Sequence, residues 1–223
     1  MKRFYVRMNL TFEGGEVVQR FMDVLSFVKD YLVIVTIVDI ILIGLPIPAF
    51  ARRAEKESYL IEGDNFSEEQ GKCECAGFSS AYVYRHLGLD AKGMDTYQKM
   101  PCKGPKGYVY CKGIVKLARR NGFRAMLRTG NLNALKNTVA KGNPVIVMLR
   151  TRKGARGLHY VPVVGYDKEF IYITDSVKSN RNVVSPHFNR KIPVTEFKKL
   201  WNISMLKQPF FFNLFFEISG GQE

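Results

Sequence analysis

From Pro144 onward the chain falls into three short runs, PVIVMLR, HYVPVVGY and FIYITDS, rich in β-branched and aromatic residues and separated by glycine and charged turn residues. Runs of that length and composition make strands, so this half of the chain has to build a sheet. Upstream the period changes. Phe78, Ala81, Tyr82 and Tyr84/Arg85 recur at helical spacing between Ala76 and Leu87, Gly88 supplies a stop, and Cys75 then sits at a helix N-terminus. GIVKLARRN (113–121) and NLNALKNTVAK (131–141) read as two further short helices closed by Gly122 and Gly142. Residues 89–107, rich in Gly, Lys and Pro, read as a loop carrying Cys102. Helices first and strands afterwards predict an α+β domain whose two parts pack as opposed lobes.

The 223 residues suffice for one such domain and a short extra segment. That segment is amino-terminal. Tyr31 to Ala51 is an almost unbroken apolar stretch in which Asp39 is the only charge. Its length suits a transmembrane helix, although an Asp at mid-bilayer costs roughly 2.5–3.5 kcal/mol on insertion scales. The stretch ends in Pro46, Pro48 and the small-x-small site Ala49-Phe50-Ala51, which also fits the apolar region of a signal peptide; buried β-strands are the remaining reading. The expected organisation is a leader over 1–30, the apolar segment over 31–51, a linker over 52–65 and the domain over 66–223. Membrane anchoring or export to the cell envelope follows from it, with membrane contact through residues 31–51.

Residues 1–51 hold five Lys/Arg against five Asp/Glu, so the whole net charge of +14 lies beyond them. A domain that basic is drawn to anionic surfaces. Its basic residues are scattered singly or in pairs, the pattern of a solvated face rather than of a specific nucleic-acid site.

A thiol attacks carbonyl carbon as thiolate, and a helix N-terminus with a nearby imidazole favours that form. Cys75 meets the first condition. Three histidines could supply the second. His86 lies eleven residues along the same helix, about 16 Å away, and His187 sits in the Pro-flanked basic turn SPHFNRK. His159 opens the central strand directly after a glycine-containing turn and can face a cleft. An imidazole base works best when a third group holds its tautomer; Asp175, ending the adjacent strand, is the natural choice, with Asp167 in the turn YDKE as competitor. Gln70, five residues before Cys75, can offer a side-chain amide to an oxyanion. Cys73 is the rival nucleophile, placed before the helix rather than on it.

The segment SEEQGKCECAGFSSAYVYRHLG resembles the nucleophile motif of the bacteriocin-processing, double-glycine leader peptidases and their stand-alone relatives: Gln, a short spacer, an acidic or small residue, Cys, Gly, then a small-residue helix ending in an aromatic or Leu and Gly. GIVKLARRNGFRA, LKNTVAKGNPVIVML, LHYVPVVGYDKEFIYITDS and IPVTEFKKLW follow in the family's order, so the similarity covers about residues 66–202. The resemblance implies a papain-like fold with a helical lobe and a carboxy-terminal antiparallel sheet. It implies Cys75 as nucleophile, His159 as base, Asp175 as orienting acid and Gln70 as oxyanion donor. It further implies a cysteine endopeptidase of peptide or protein substrates, such as leader or secreted peptides, that needs no cofactor. Two positions depart from the pattern: Ala76 follows the nucleophile with Gly77 one place later, and Ser176 follows Asp175 where relatives often have Pro.

A peptide-binding module that keeps the fold without activity, and an acyl-transfer enzyme of transglutaminase-like type, are the rival readings. Cys102 and Cys111 could close a loop across GPKGYVY in an oxidising compartment. The cysteine spacings do not match zinc-ligand pairs. The aromatic stretch QPFFFNLFFEISGGQE reads as a final core strand, with an exposed contact patch as the alternative.

Overall fold

The run VIVML has no polar residue at alternate positions, and a strand of that kind needs cover on both faces. The structure, a computed structural model, describes residues 14–42, 44–152, 157–203 and 212–221. Its first half contains α1 (Gly14–Leu42), β1 (Ile47–Ala49), β2 (Tyr59–Leu60), α2 (Cys75–His86), α3 (Gly93–Lys99), α4 (Cys111–Arg120) and β3 (Arg124–Gly130). Its second half contains α5 (Leu132–Val139), β4 (Val145–Arg150), β5 (Leu158–Tyr166), β6 (Phe170–Ile173), β7 (Arg190–Pro193), α6 (Val194–Trp201) and β8 (Leu214–Ser219). The strands form one sheet in the order β1-β3-β8-β4-β5-β6-β7, with β2 paired to the far end of β5. Every pairing is antiparallel except that of β1 with β3.

VIVML becomes β4 in the middle of this sheet, and its residues divide between two cores. Ile146 and Met148 pack with Tyr160, Phe216 and the buried faces of α2 and α4. Val145, Val147 and Leu149 pack on the opposite face with Leu135 and Val139 of α5 and with Phe197, Leu200 and Trp201 of α6. The α+β class therefore holds, but the expected succession of a helical lobe and a sheet lobe does not. Two helices cover the second face, and β1 and β3 enter the sheet from the first half. β3 is a strand because Ala125, Leu127 and Thr129 point inward between Arg124, Met126 and Arg128. The three helices expected over 76–87, 113–121 and 131–141 appear as α2, α4 and α5, and α3 lies inside the segment read as loop. The carboxy-terminal aromatics make the expected core strand: Phe215 and Phe216 of β8 are fully buried, while Phe210 and Phe211 lie outside the described residues.

The transmembrane reading of 31–51 is corrected by the way the stretch divides. Its first part ends α1 at Leu42 and its last part is β1, because Pro46 and Pro48 cannot continue a helix. The helical part, 31–42, is about 18 Å long at roughly 1.5 Å per residue, short of the roughly 30 Å hydrocarbon core, and Arg20, Asp23, Lys29 and Asp30 precede it. No helix among the described residues is long and apolar enough to cross a membrane.

The segment read as a linker is held in place as well. Ala49 pairs with Gly130, and Ala51 exchanges two hydrogen bonds with Asn131 (3.2 and 2.8 Å). Along α5, Asn133 donates to the Arg52 carbonyl (3.0 Å), and Asn137 donates to the Arg53 carbonyl (3.2 Å) while accepting from the Glu55 N–H (2.8 Å). Three asparagine amides thus run beside residues 51–55 and satisfy five of their backbone groups, which an unattached chain would leave to water.

On the other side of the sheet, α2 and α3 meet at a glycine. A Cβ at Gly77 would lie 2.3 Å from Tyr97 Cβ and 2.6 Å from Tyr97 Cα. Alanine at position 77 is therefore expected to push α3 away and lower stability by about 1–3 kcal/mol, measured as a reduced urea midpoint. An unchanged midpoint would mean that the two helices can separate at no cost.

Candidate active site

Small residues on one side of α2 let it lie flat against the sheet: Ala76 and Ala81 are fully buried, and Ser79 Oγ donates to the Tyr160 carbonyl oxygen at 2.9 Å. That bond joins the second turn of α2 to the residue beside His159. Cys75 is the first residue of the helix and is 8% exposed. No side chain caps the N-terminus, since the Glu74 carboxylate turns back to the Cys73 N–H at 3.0 Å. The uncapped N–H groups and the positive end of the helix dipole therefore lie at Cys75.

His159 lies on β5 opposite Leu149, and it is buried. Its Nε2 is 2.9 Å from Asp175 Oδ1, which leaves Nδ1 as the ring nitrogen for the Cys75 thiol. Burial opposes charge on the imidazole, yet the hydrogen bonds to Asp175 and Cys75 outweigh it and raise the group to about 9.

Asp175 has no solvent exposure, and its two carboxylate oxygens are shared among four donors. Oδ1 accepts from His159 and from the Val177 N–H (2.8 Å), and Oδ2 accepts from Arg190 Nη1 (2.8 Å) and Asn180 Nδ2 (3.1 Å). Burial alone would raise this carboxyl; the bonds from His159, Val177 and Arg190 hold it down at about 2. The backbone of the residue is fixed too, by Asn189, which accepts from its N–H (2.7 Å) and donates to its carbonyl (3.0 Å).

Gln70 reaches the same place from the segment before α2. It lines a cavity of about 290 Å³ together with Cys73, Cys75, His159, Tyr108 and Asn180. A thiol, an imidazole and a buried carboxylate in sequence, with an amide across a common cavity, can carry out nucleophilic acyl chemistry.

The other sequence candidates lie elsewhere or outside the row. His86 bonds the Gly142 carbonyl through Nε2 at 2.8 Å, and with His187 it lines a separate cavity beside Glu62 and Asp64. Asp167 caps the β5–β6 turn, accepting from the N–H groups of Glu169 (2.7 Å) and Phe170 (2.6 Å) and from the Tyr172 hydroxyl. Cys73 shares the cavity but stands off the helix. All four cysteines are free; Cys111 is buried 3.4 Å from the Tyr160 hydroxyl, and desolvation pushes its thiol up to about 11. Arg190 and Asn180 went unrecognised in the sequence, where nothing distinguishes them from the other basic and polar residues of 178–191.

Residues 68–206 match the model of the Peptidase_C39 like family. Among solved structures, the peptidase domain of Streptococcus ComA, a bi-functional ABC transporter involved in a quorum sensing pathway, is similar at a TM-score of 0.53 and 17% identity, over 71% of this chain and 99% of that one. A C39-like peptidase candidate from Bacillus anthracis is similar at a TM-score of 0.56 and 17% identity, over 75% of this chain and all of that one (100%). Both likenesses are of fold. No curated protein matches the chain.

Proposed function

Because the chain belongs to the Peptidase_C39 like family, we propose that it is a cysteine peptidase in which Cys75 is the nucleophile, His159 the acid-base group, Asp175 its orienting acid and Gln70 an oxyanion donor. The observation that carries this reading is the use of His159 Nε2 by Asp175, which turns the opposite ring nitrogen to the thiol at a helix N-terminus. In the first step His159 takes the thiol proton, and the sulfur adds to the peptide carbonyl carbon. The oxyanion accepts from the Gln70 amide and the Cys75 N–H. His159 then protonates the leaving amine as the C–N bond breaks, and a thioester remains. Water, deprotonated by His159, hydrolyses the thioester and frees the thiol. The substrate is a peptide or protein; leader segments of secreted peptides are the class suggested by the chain's resemblance to double-glycine leader peptidases.

The test is alkylation of the full chain by iodoacetamide between pH 4 and 9, with the modified cysteine mapped by mass spectrometry. Cys75 is expected to react faster than Cys73 and than a model thiol, and to lose that advantage in His159→Ala. Equal rates for Cys75 and a model thiol in the folded protein would replace this reading with a peptide-binding module. Peptide hydrolysis is also expected to decline as pH rises through about 9, where His159 loses the proton that the leaving amine needs. An alkaline limb near the ordinary imidazole value of ~6.5 would show that Asp175 does not support the imidazolium.

A further inference from the structure

The Ser176 side chain is turned inward rather than to the turn surface, with 6% exposure. Its Oγ–H donates to Gln70 Oε1 at 2.6 Å, and the Gln70 N–H donates to the Ser176 carbonyl oxygen at 3.0 Å. A third bond, from Ser67 Oγ to the Asp175 carbonyl oxygen (3.2 Å), ties the same two segments together. Residues 67–70 are thus laced to residues 175–176, and the chain that presents Asp175 to His159 also grips Gln70.

The grip has a direction. An amide can sit either way round on a hydroxyl, because a hydroxyl both donates and accepts. Here the second neighbour decides: Gln70 Nε2 lies 3.4 Å from the Lys72 carbonyl oxygen, and a flipped amide would set Oε1 against that carbonyl. With Oε1 held by Ser176 and one N–H on the Lys72 carbonyl, the second N–H is the one left for the cavity shared with Cys75. Glutamine has three side-chain torsions, and a free one on this half-buried segment would spend much of its time turned elsewhere.

We infer that Ser176 is a positioning residue that locks the Gln70 amide with its second N–H toward the carbonyl oxygen of a substrate at Cys75. This rests on the assignment of Cys75 and Gln70 above. A residue without a side-chain donor at position 176 could not hold the amide in this way.

Two small reagents separate amide positioning from thiol activation. p-Nitrophenyl acetate is attacked at its carbonyl: an S–C bond forms, an oxyanion develops, and p-nitrophenolate leaves. Iodoacetamide is attacked at saturated carbon: an S–C bond forms, iodide leaves, and no oxyanion arises. In Ser176→Ala the acylation rate by p-nitrophenyl acetate is expected to fall about tenfold, while alkylation of Cys75 stays within about twofold of wild type. Ser176→Thr, which keeps the hydroxyl, should restore most of the acylation. Gln70→Ala should lose more, and the double variant Gln70→Ala with Ser176→Ala should be no slower than Gln70→Ala alone. Equal loss in both reactions would mean that Ser176 acts through Asp175 and His159, and an unchanged acylation rate or an additive double variant would also overturn the inference. A wild-type protein whose Cys75 reacts with neither reagent faster than a model thiol would instead remove the peptidase reading itself.

Discussion

Serine in place of Cys75 should leave a folded protein that cleaves peptides at least about a thousandfold more slowly than wild type, because an alkoxide is not formed where a thiolate is. The exchange changes one buried atom at a site 8% exposed, so the urea midpoint should move little. The corresponding change at Cys73 should leave the rate within about twofold, since that residue lies before α2 and outside the His159–Asp175 row. Rates of cleavage and midpoints measured on both variants check the assignment. Activity that survives in Cys75→Ser and vanishes in Cys73→Ser would move the nucleophile to the other cysteine.

Alanine at position 175 should do damage of a second kind. The carboxylate answers His159, Val177, Asn180 and Arg190 at once, and the Arg190 side chain is only 13% exposed. Removing the acid strands a largely buried cation, which typically costs about 3–5 kcal/mol. The variant should therefore lose both hydrolysis and a large part of its stability, read from chemical unfolding. The dependence on pH follows from the same pair. His159 is raised in the folded protein, so its contribution is complete below the unfolded value of ~6.5 and disappears as pH rises through about 9. Asp175 is depressed, so its contribution is complete above ~3.9 and disappears as pH falls toward about 2. Wild type should lose stability at both ends, and Asp175→Ala should be flatter across the same range. A variant as stable as wild type would mean that Arg190 finds another partner.

How far the sequence could be read depended on whether a residue's role is set by its neighbours in the chain or by those brought to it. The helix at Cys75 was legible because small and aromatic residues repeat at its own period and Gly88 stops it. His159 and Asp175 were legible as ends of adjacent strands in a hairpin. The two-faced sheet was signalled by the uninterrupted VIVML run, but of the two helices that fill its second face only α5 is its neighbour in sequence; α6 comes from more than forty residues downstream. α3 was hidden because it is short and begins at a glycine packed against Phe78. Asn180 and Arg190 carry no distinguishing signal in the sequence, and Ser176 stood out only as the residue after Asp175. Their carboxylate and amide partners are supplied only when 175–190 folds back over the site.

The pairing of β1 with β3 bears on how the protein can be handled. β1 is three residues long and parallel to β3, and it occupies the side of β3 that would otherwise end the sheet. A chain begun after Ala51, at the boundary that hydropathy suggests, would uncover a row of unpaired amide and carbonyl groups along residues 128–130. Such an uncovered edge recruits other strands, and the expected companion of that truncation is self-association on the bench. Ile47 to Ala49 are, in this sense, the sheet's own blocking piece.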